Sequence, residues 1–74
     1  MARFLIHWTE SVDFCGYLDT ADDMTVEEVH RMIYTDDPLK WYPLFYLEIT
    51  GNEHVRITDS EVTTLPWSIE RMED

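Results

Sequence analysis

DTADDMTVEEVHRMIYTDDP, residues 19–38, carries the clearest helix start and stop signals in the chain, so its reading decides how the rest is arranged. Thr25-x-x-Glu28 is a capping box, in which the threonine hydroxyl and the glutamate carboxylate each satisfy a backbone N–H that the first helical turn leaves unpaired. Met24 and Val29 take the two positions of a hydrophobic staple, and Glu27 precedes Arg31 by four residues, the favourable order for a helical ion pair. Val26, Val29, Met32 and Ile33 then share one face at helical spacing, opposite Glu27, Glu28 and Arg31. Pro38 closes the segment by forcing Asp37 out of helical geometry, so one helix is expected over about residues 25–35.

The acids at its two ends carry different information. Asp22 and Asp23 precede the positive end of the helix dipole, where a carboxylate stabilises by about 0.3–1 kcal/mol, so local structure alone accounts for them. Asp36 and Asp37 follow the negative end, where the same interaction is unfavourable and a basic residue, Asn or Gly is the ordinary choice. That placement points to a role other than helix stability.

On either side the period changes from helical to alternating. In residues 3–9, Phe4, Ile6 and Trp8 alternate with Arg3, Leu5 and His7, a strand pattern. Residues 12–18 read as a second strand with Gly16 at a bulge or bend, or as loop. After an aromatic turn at residues 40–43, Phe45, Leu47 and Ile49 alternate with Tyr46, Glu48 and Thr50. Gly51 and Asn52 supply a tight turn, and residues 54–58 return with Val55 and Ile57 inward, a β-hairpin. Residues 61–65 add a short strand or loop before Pro66, and Trp67, Ile69 and Met72 suggest a final helical turn. The expected fold is α+β: one domain, residues 1–74, with a small, mostly antiparallel sheet of three to four strands packed on one main helix.

Composition narrows the function. Sixteen acids against five bases give a net charge of −11 and a pI near 4.3, while three Trp, four Tyr and three Phe supply the bulk of a folded core. A chain this aromatic is not a disordered acidic tail. Such a surface repels nucleic acid and anionic membranes and attracts basic proteins, so direct nucleic-acid and membrane binding are not expected and a basic protein is the expected partner. Cys15 stands alone, which excludes an internal disulfide and suits the reducing cytoplasm. The apolar run at residues 4–6 is too short for a signal peptide or a membrane span.

Enzymatic and metal chemistry find little support. His7, His30, His54 and Cys15 show no ligand spacing of the C-x-x-C or H-x-x-x-H kind, and residues 19–23 lack the alternating oxygens and central Gly of a calcium loop. Cys15 has no accompanying nucleophile turn or orienting group, and the paired carboxylates have no evident cleft to shift their pKa values. No metal, cofactor or catalytic residue is expected. The candidate binding residues are Asp22, Asp23, Glu27, Glu28, Asp36 and Asp37.

The size, the single cysteine, the aromatic-rich α+β pattern and the carboxylates gathered in DTADDMTVEEVHRMIYTDDP resemble, over the whole chain, the small acidic phage-encoded anti-CRISPR proteins. The likeness is to inhibitors of type I surveillance complexes that act as DNA mimics, and it is one of character, with no shared motif. The resemblance implies a non-enzymatic inhibitor, acting in the host cytoplasm, that blocks target-DNA binding by a CRISPR surveillance complex, with the PAM-reading large subunit as its partner. The charge is also compatible with a merely solubilising surface, and with an immunity protein or antitoxin that plugs a basic nuclease active site; Trp41, Tyr42 and Tyr46 would anchor such a plug if exposed, although some of them are expected in the core.

Overall fold

A computed structural model of the protein describes residues 1–34, 41–50, 53–58 and 61–72. Its elements are β1 (Ala2–Thr9), β2 (Asp13–Thr20), α1 (Val26–Ile33), β3 (Phe45–Thr50), β4 (Glu53–Thr58) and β5 (Ser68–Met72). The strands form one sheet in the order β4-β3-β2-β1-β5, and every neighbouring pair is antiparallel. The α+β expectation is met in outline, but the sheet has five strands rather than three to four.

The fifth strand is the segment expected to form a helical turn. Ser68–Met72 pairs with β1, from His7 opposite Ser68 to Arg3 opposite Met72. Residues 61–65 form no full strand: Val62 and Trp41 make an isolated antiparallel bridge with reciprocal backbone hydrogen bonds of 3.0 and 3.2 Å. Strand β2 is regular where Gly16 suggests a bulge, a bend or a loop, its register with β1 unbroken from Thr20 opposite Ala2 to Asp13 opposite Thr9. The β3–β4 hairpin is in register from Phe45 opposite Thr58 to Thr50 opposite Glu53. The turn expected at Gly51 and Asn52 lies outside the described residues.

Helix α1 is shorter than the expected 25–35 but starts where the capping box places it. The Glu28 N–H donates to Thr25 Oγ1 at 3.2 Å. The Glu28 carboxylate accepts from the Thr25 hydroxyl, also at 3.2 Å, in place of the reciprocal backbone contact. Thr25→Ala is expected to destabilise the fold by about 1 kcal/mol, read as a lower urea midpoint at unchanged slope. Of the predicted apolar face only Val29 and Ile33 are buried, while Val26 and Met32 are more than a third exposed.

A helix with two buried residues does not cover a five-stranded sheet. The rest of the cover comes from irregular chain: Trp41, Pro43, Val62 and Pro66 are all buried. Beneath them Phe4, Ile6 and Trp8 of β1 are fully buried, joined by Phe14 and Tyr46. Trp8 is central, with ring centroids 4.9 Å from Trp41, 5.4 Å from Tyr46 and 5.7 Å from Phe14.

Residues directly opposite in adjacent strands share a face, so the register sorts the remaining side chains. Ile6, Gly16 and Tyr46 lie on the core face, and Ile57 and Val55 follow there at its margin, where Val55 is half exposed. Phe45, Leu47 and Ile49, the apolar side of the clearest strand pattern, therefore point to the other face of the sheet. No described helix or strand crosses that face; Trp67 lies over one end of it, stacked on His7 with its Nε1–H donating to Thr9 Oγ1 at 3.0 Å.

Candidate functional site

The β2–α1 connection and the first turn of α1 bring four of the six candidate acids together at one corner. Asp22, Asp23, Glu27 and Glu28 are all exposed there. Asp36 and Asp37, the pair singled out by their position after the helix, lie outside the described residues. The corner follows from one local and one distant feature: the Thr25 cap fixes where the helix begins, and Arg71 of β5 ties down the connection. The Arg71 guanidinium donates to the backbone carbonyls of Met24 at 2.8 Å and Asp22 at 3.0 Å.

These contacts also set the local charge. The Asp22 carboxylate pairs with the Met1 amino group, and Arg71 sits beneath the loop, so two positive groups offset part of the four negative ones. Asp23 and Glu27 are the acids with no hydrogen bond or ion pair to a described residue. The Glu27–Arg31 pair expected on the helix does not form. Arg31 instead lines a shallow open groove of about 500 Å³ with Val26, Glu27, His30 and Tyr34, where the His30 ring stacks on Tyr34 with centroids 4.1 Å apart.

Acids also lie elsewhere. Glu10 and Asp13 are exposed at the β1–β2 turn, the opposite end of these strands from the corner, and Glu70 is exposed on β5. Asp19, just before the corner, is held by Arg3, whose Nε and Nη2 donate to the two carboxylate oxygens at 2.7 and 3.1 Å. Those hydrogen bonds keep the Asp19 carboxyl below its ordinary value of 3.8. A depressed carboxylate pKa adds stability that is complete above the unfolded value and fades as the pH falls through the folded one. Wild type is therefore expected to melt above Asp19→Asn at neutral pH, with the gap constant down to about pH 4 and closing below it, as followed by thermal unfolding at several pH values.

The aromatic anchors proposed for a nuclease plug are mostly unavailable. Trp41 and Tyr46 belong to the core; Tyr42 alone of the three is exposed. Cys15 is buried between strands opposite Leu47, and burial pushes its thiol pKa up, against a smaller opposing effect of the Leu47 backbone. Among the described residues no group of three or more His, Cys, Asp or Glu is placed to hold a metal ion. None of the described helices is long and apolar enough to cross a membrane. What sequence reasoning missed is the apolar sheet face turned from the core, because the alternation in β3 does not say which of its two sides packs inward. No known protein family, curated protein or solved structure matches this chain.

Proposed function

We propose that the protein is a non-enzymatic inhibitor that presents carboxylates where a basic, DNA-binding protein would otherwise hold phosphates. The observation that supports this reading is the exposed corner of Asp22, Asp23, Glu27 and Glu28 in a chain of net charge −11. Scale limits what is mimicked. The molecule is 34 Å in its longest dimension. A duplex of that length carries about 20 phosphate charges and a single strand about 10, so the chain's charge matches one strand's backbone rather than both. The decoy suits a groove that grips a short stretch of backbone.

The resemblance to anti-CRISPR proteins makes a type I surveillance complex, and its PAM-reading large subunit, the target to examine first. Asp23 and Glu27 lead the contact, since neither carboxylate is engaged by a described residue. Asp22 and Glu28 flank them, and Asp36 and Asp37 extend the set. An immunity protein remains the competing class, and the assay separates them. A decoy displaces duplex from its target with steep salt dependence, whereas a plug of a nuclease active site stops cleavage and leaves remote DNA contacts in place.

The expected result is that the wild-type protein displaces duplex from the purified complex in a gel-shift competition. Asp23→Lys with Glu27→Lys should weaken this at least about tenfold while the melting temperature stays within a few degrees. Equal potency of the double variant would remove the corner from the contact. Absence of displacement by the wild-type protein would remove this target.

A further inference from the structure

The face of the sheet that no described helix or strand crosses has the anatomy of an interface. Its centre is apolar: Leu5, Tyr17, Cys15, Phe45 and Leu47 adjoin across three strands, with the Tyr17 and Phe45 rings 4.7 Å apart. Its rim is mostly polar. Arg3 and Asp19 pair at one end beside Met72, Asp13 and His54 flank Ile49 at the other, Trp67 stacks on His7 and donates to Thr9 Oγ1, Arg56 lies along the β4 edge and Glu70 along the β5 edge. An apolar centre within a polar rim is the usual layout of a specific protein contact, whereas the second face of a one-sided antiparallel sheet is ordinarily polar throughout.

We propose that a second copy of this chain docks on this face, sheet against sheet, about a two-fold axis along the central strand β2. Charge decides the choice of occupant. A chain of net charge −11 repels its own copy over most approaches. On this face, however, the described acids Asp13, Asp19 and Glu70 stand against Arg3 and Arg56, so it is close to neutral.

The polarity of the rim is self-complementary. A two-fold axis along β2 carries the β4 edge of one copy over the β5 edge of the other, and so sets Arg56 against Glu70 of the partner subunit twice. The two residues lie one pairing row apart, about 7 Å along the strand, an offset that an extended Arg side chain spans. Arg56 is already directed over this face, its guanidinium 4.5 Å from the centroid of the Phe45 ring.

Area is sufficient. The molecule is a slab of 34 × 32 × 18 Å, and the sheet forms its broad side. Five strands about 4.8 Å apart and roughly 20–25 Å long give each copy about 500 Å² in projection. The pair then buries on the order of 1,000 Å² before side-chain relief is counted, the lower bound for a specific interface.

Sedimentation equilibrium across the micromolar range is expected to give twice the 8.9 kDa chain mass. Leu47→Asp, at the centre of the face, should raise the dimer dissociation constant at least about 100-fold, while Val55→Asp, on the opposite face, leaves it unchanged. Should Leu47→Asp fail to fold by far-UV circular dichroism, the surface pair decides. Arg56→Glu and Glu70→Arg should each weaken the dimer about tenfold, and together they should restore it. A wild-type monomer throughout, a dimer indifferent to Leu47→Asp and Arg56→Glu, or a charge swap without restoration would each overturn the proposal.

Discussion

Trp8→Ala is expected to leave the chain unfolded at room temperature. Trp8 is fully buried, and it contacts both layers of the core, Phe14 and Tyr46 in the sheet and Trp41 in the irregular cover. Truncating a buried Trp costs about 3–5 kcal/mol, as much as a single core of this size supplies in total. Far-UV circular dichroism without denaturant should report the loss. Trp8→Phe is the informative contrast. The Trp8 Nε1–H is buried and finds no acceptor among the described residues, an omission that costs about 1–3 kcal/mol. Phenylalanine keeps a ring against its neighbours and removes that donor, so its urea midpoint should fall far less than alanine's. A Trp8→Phe variant as unfolded as Trp8→Ala would mean that the second ring matters more than the orphaned N–H.

Gly16→Ala is expected to cost about 1–3 kcal/mol, the usual penalty for overpacking a close-packed core. A methyl group there would lie 2.8 Å from Pro43 Cβ and 3.0 Å from Trp8 Cη2 and Cζ3. Neither neighbour yields easily. Trp8 is locked among three aromatic rings, and the segment carrying Pro43 is tied to β2 by the Leu44 N–H, which donates to Tyr17 O at 2.8 Å. Glycine at this position makes room for the cover to sit directly on the strand. A urea midpoint equal to that of the wild-type protein would show that Pro43 or Trp8 moves aside freely.

Gly16 also marks where sequence reading reached its limit. Inside an apolar segment it signalled a bend, and the signal was physically sound, since glycine does mark an irregular or crowded backbone. The crowding comes from Pro43 and Trp8, 27 residues ahead and 8 behind, which no local pattern exposes. The features that were legible have local causes: the alternation of Phe4, Ile6 and Trp8, the Thr25 cap, and the two arms of the β3–β4 hairpin. Strand β5 was not legible, because Ser68–Met72 is too short to show a period and its state depends on the distant edge of β1. The sidedness of β3 was not legible for a related reason. Phe45, Leu47 and Ile49 are the more apolar set, but the register with β2 turns Tyr46 toward Trp8. Of the candidate site, the clustering of Asp22, Asp23, Glu27 and Glu28 was visible because those residues are adjacent in the chain. The Met1 and Arg71 groups that temper their charge come from opposite ends of the described sequence.

That closure of β5 onto β1 has a consequence during synthesis. The inner edge of β1 finds its partner as soon as β2 emerges from the ribosome, but the outer edge must wait for a strand more than fifty residues further along. For that interval a row of unbonded peptide groups beside Phe4 and Ile6 is open to any extended neighbour, and the search that ends it is a long-range one of the kind that slows folding.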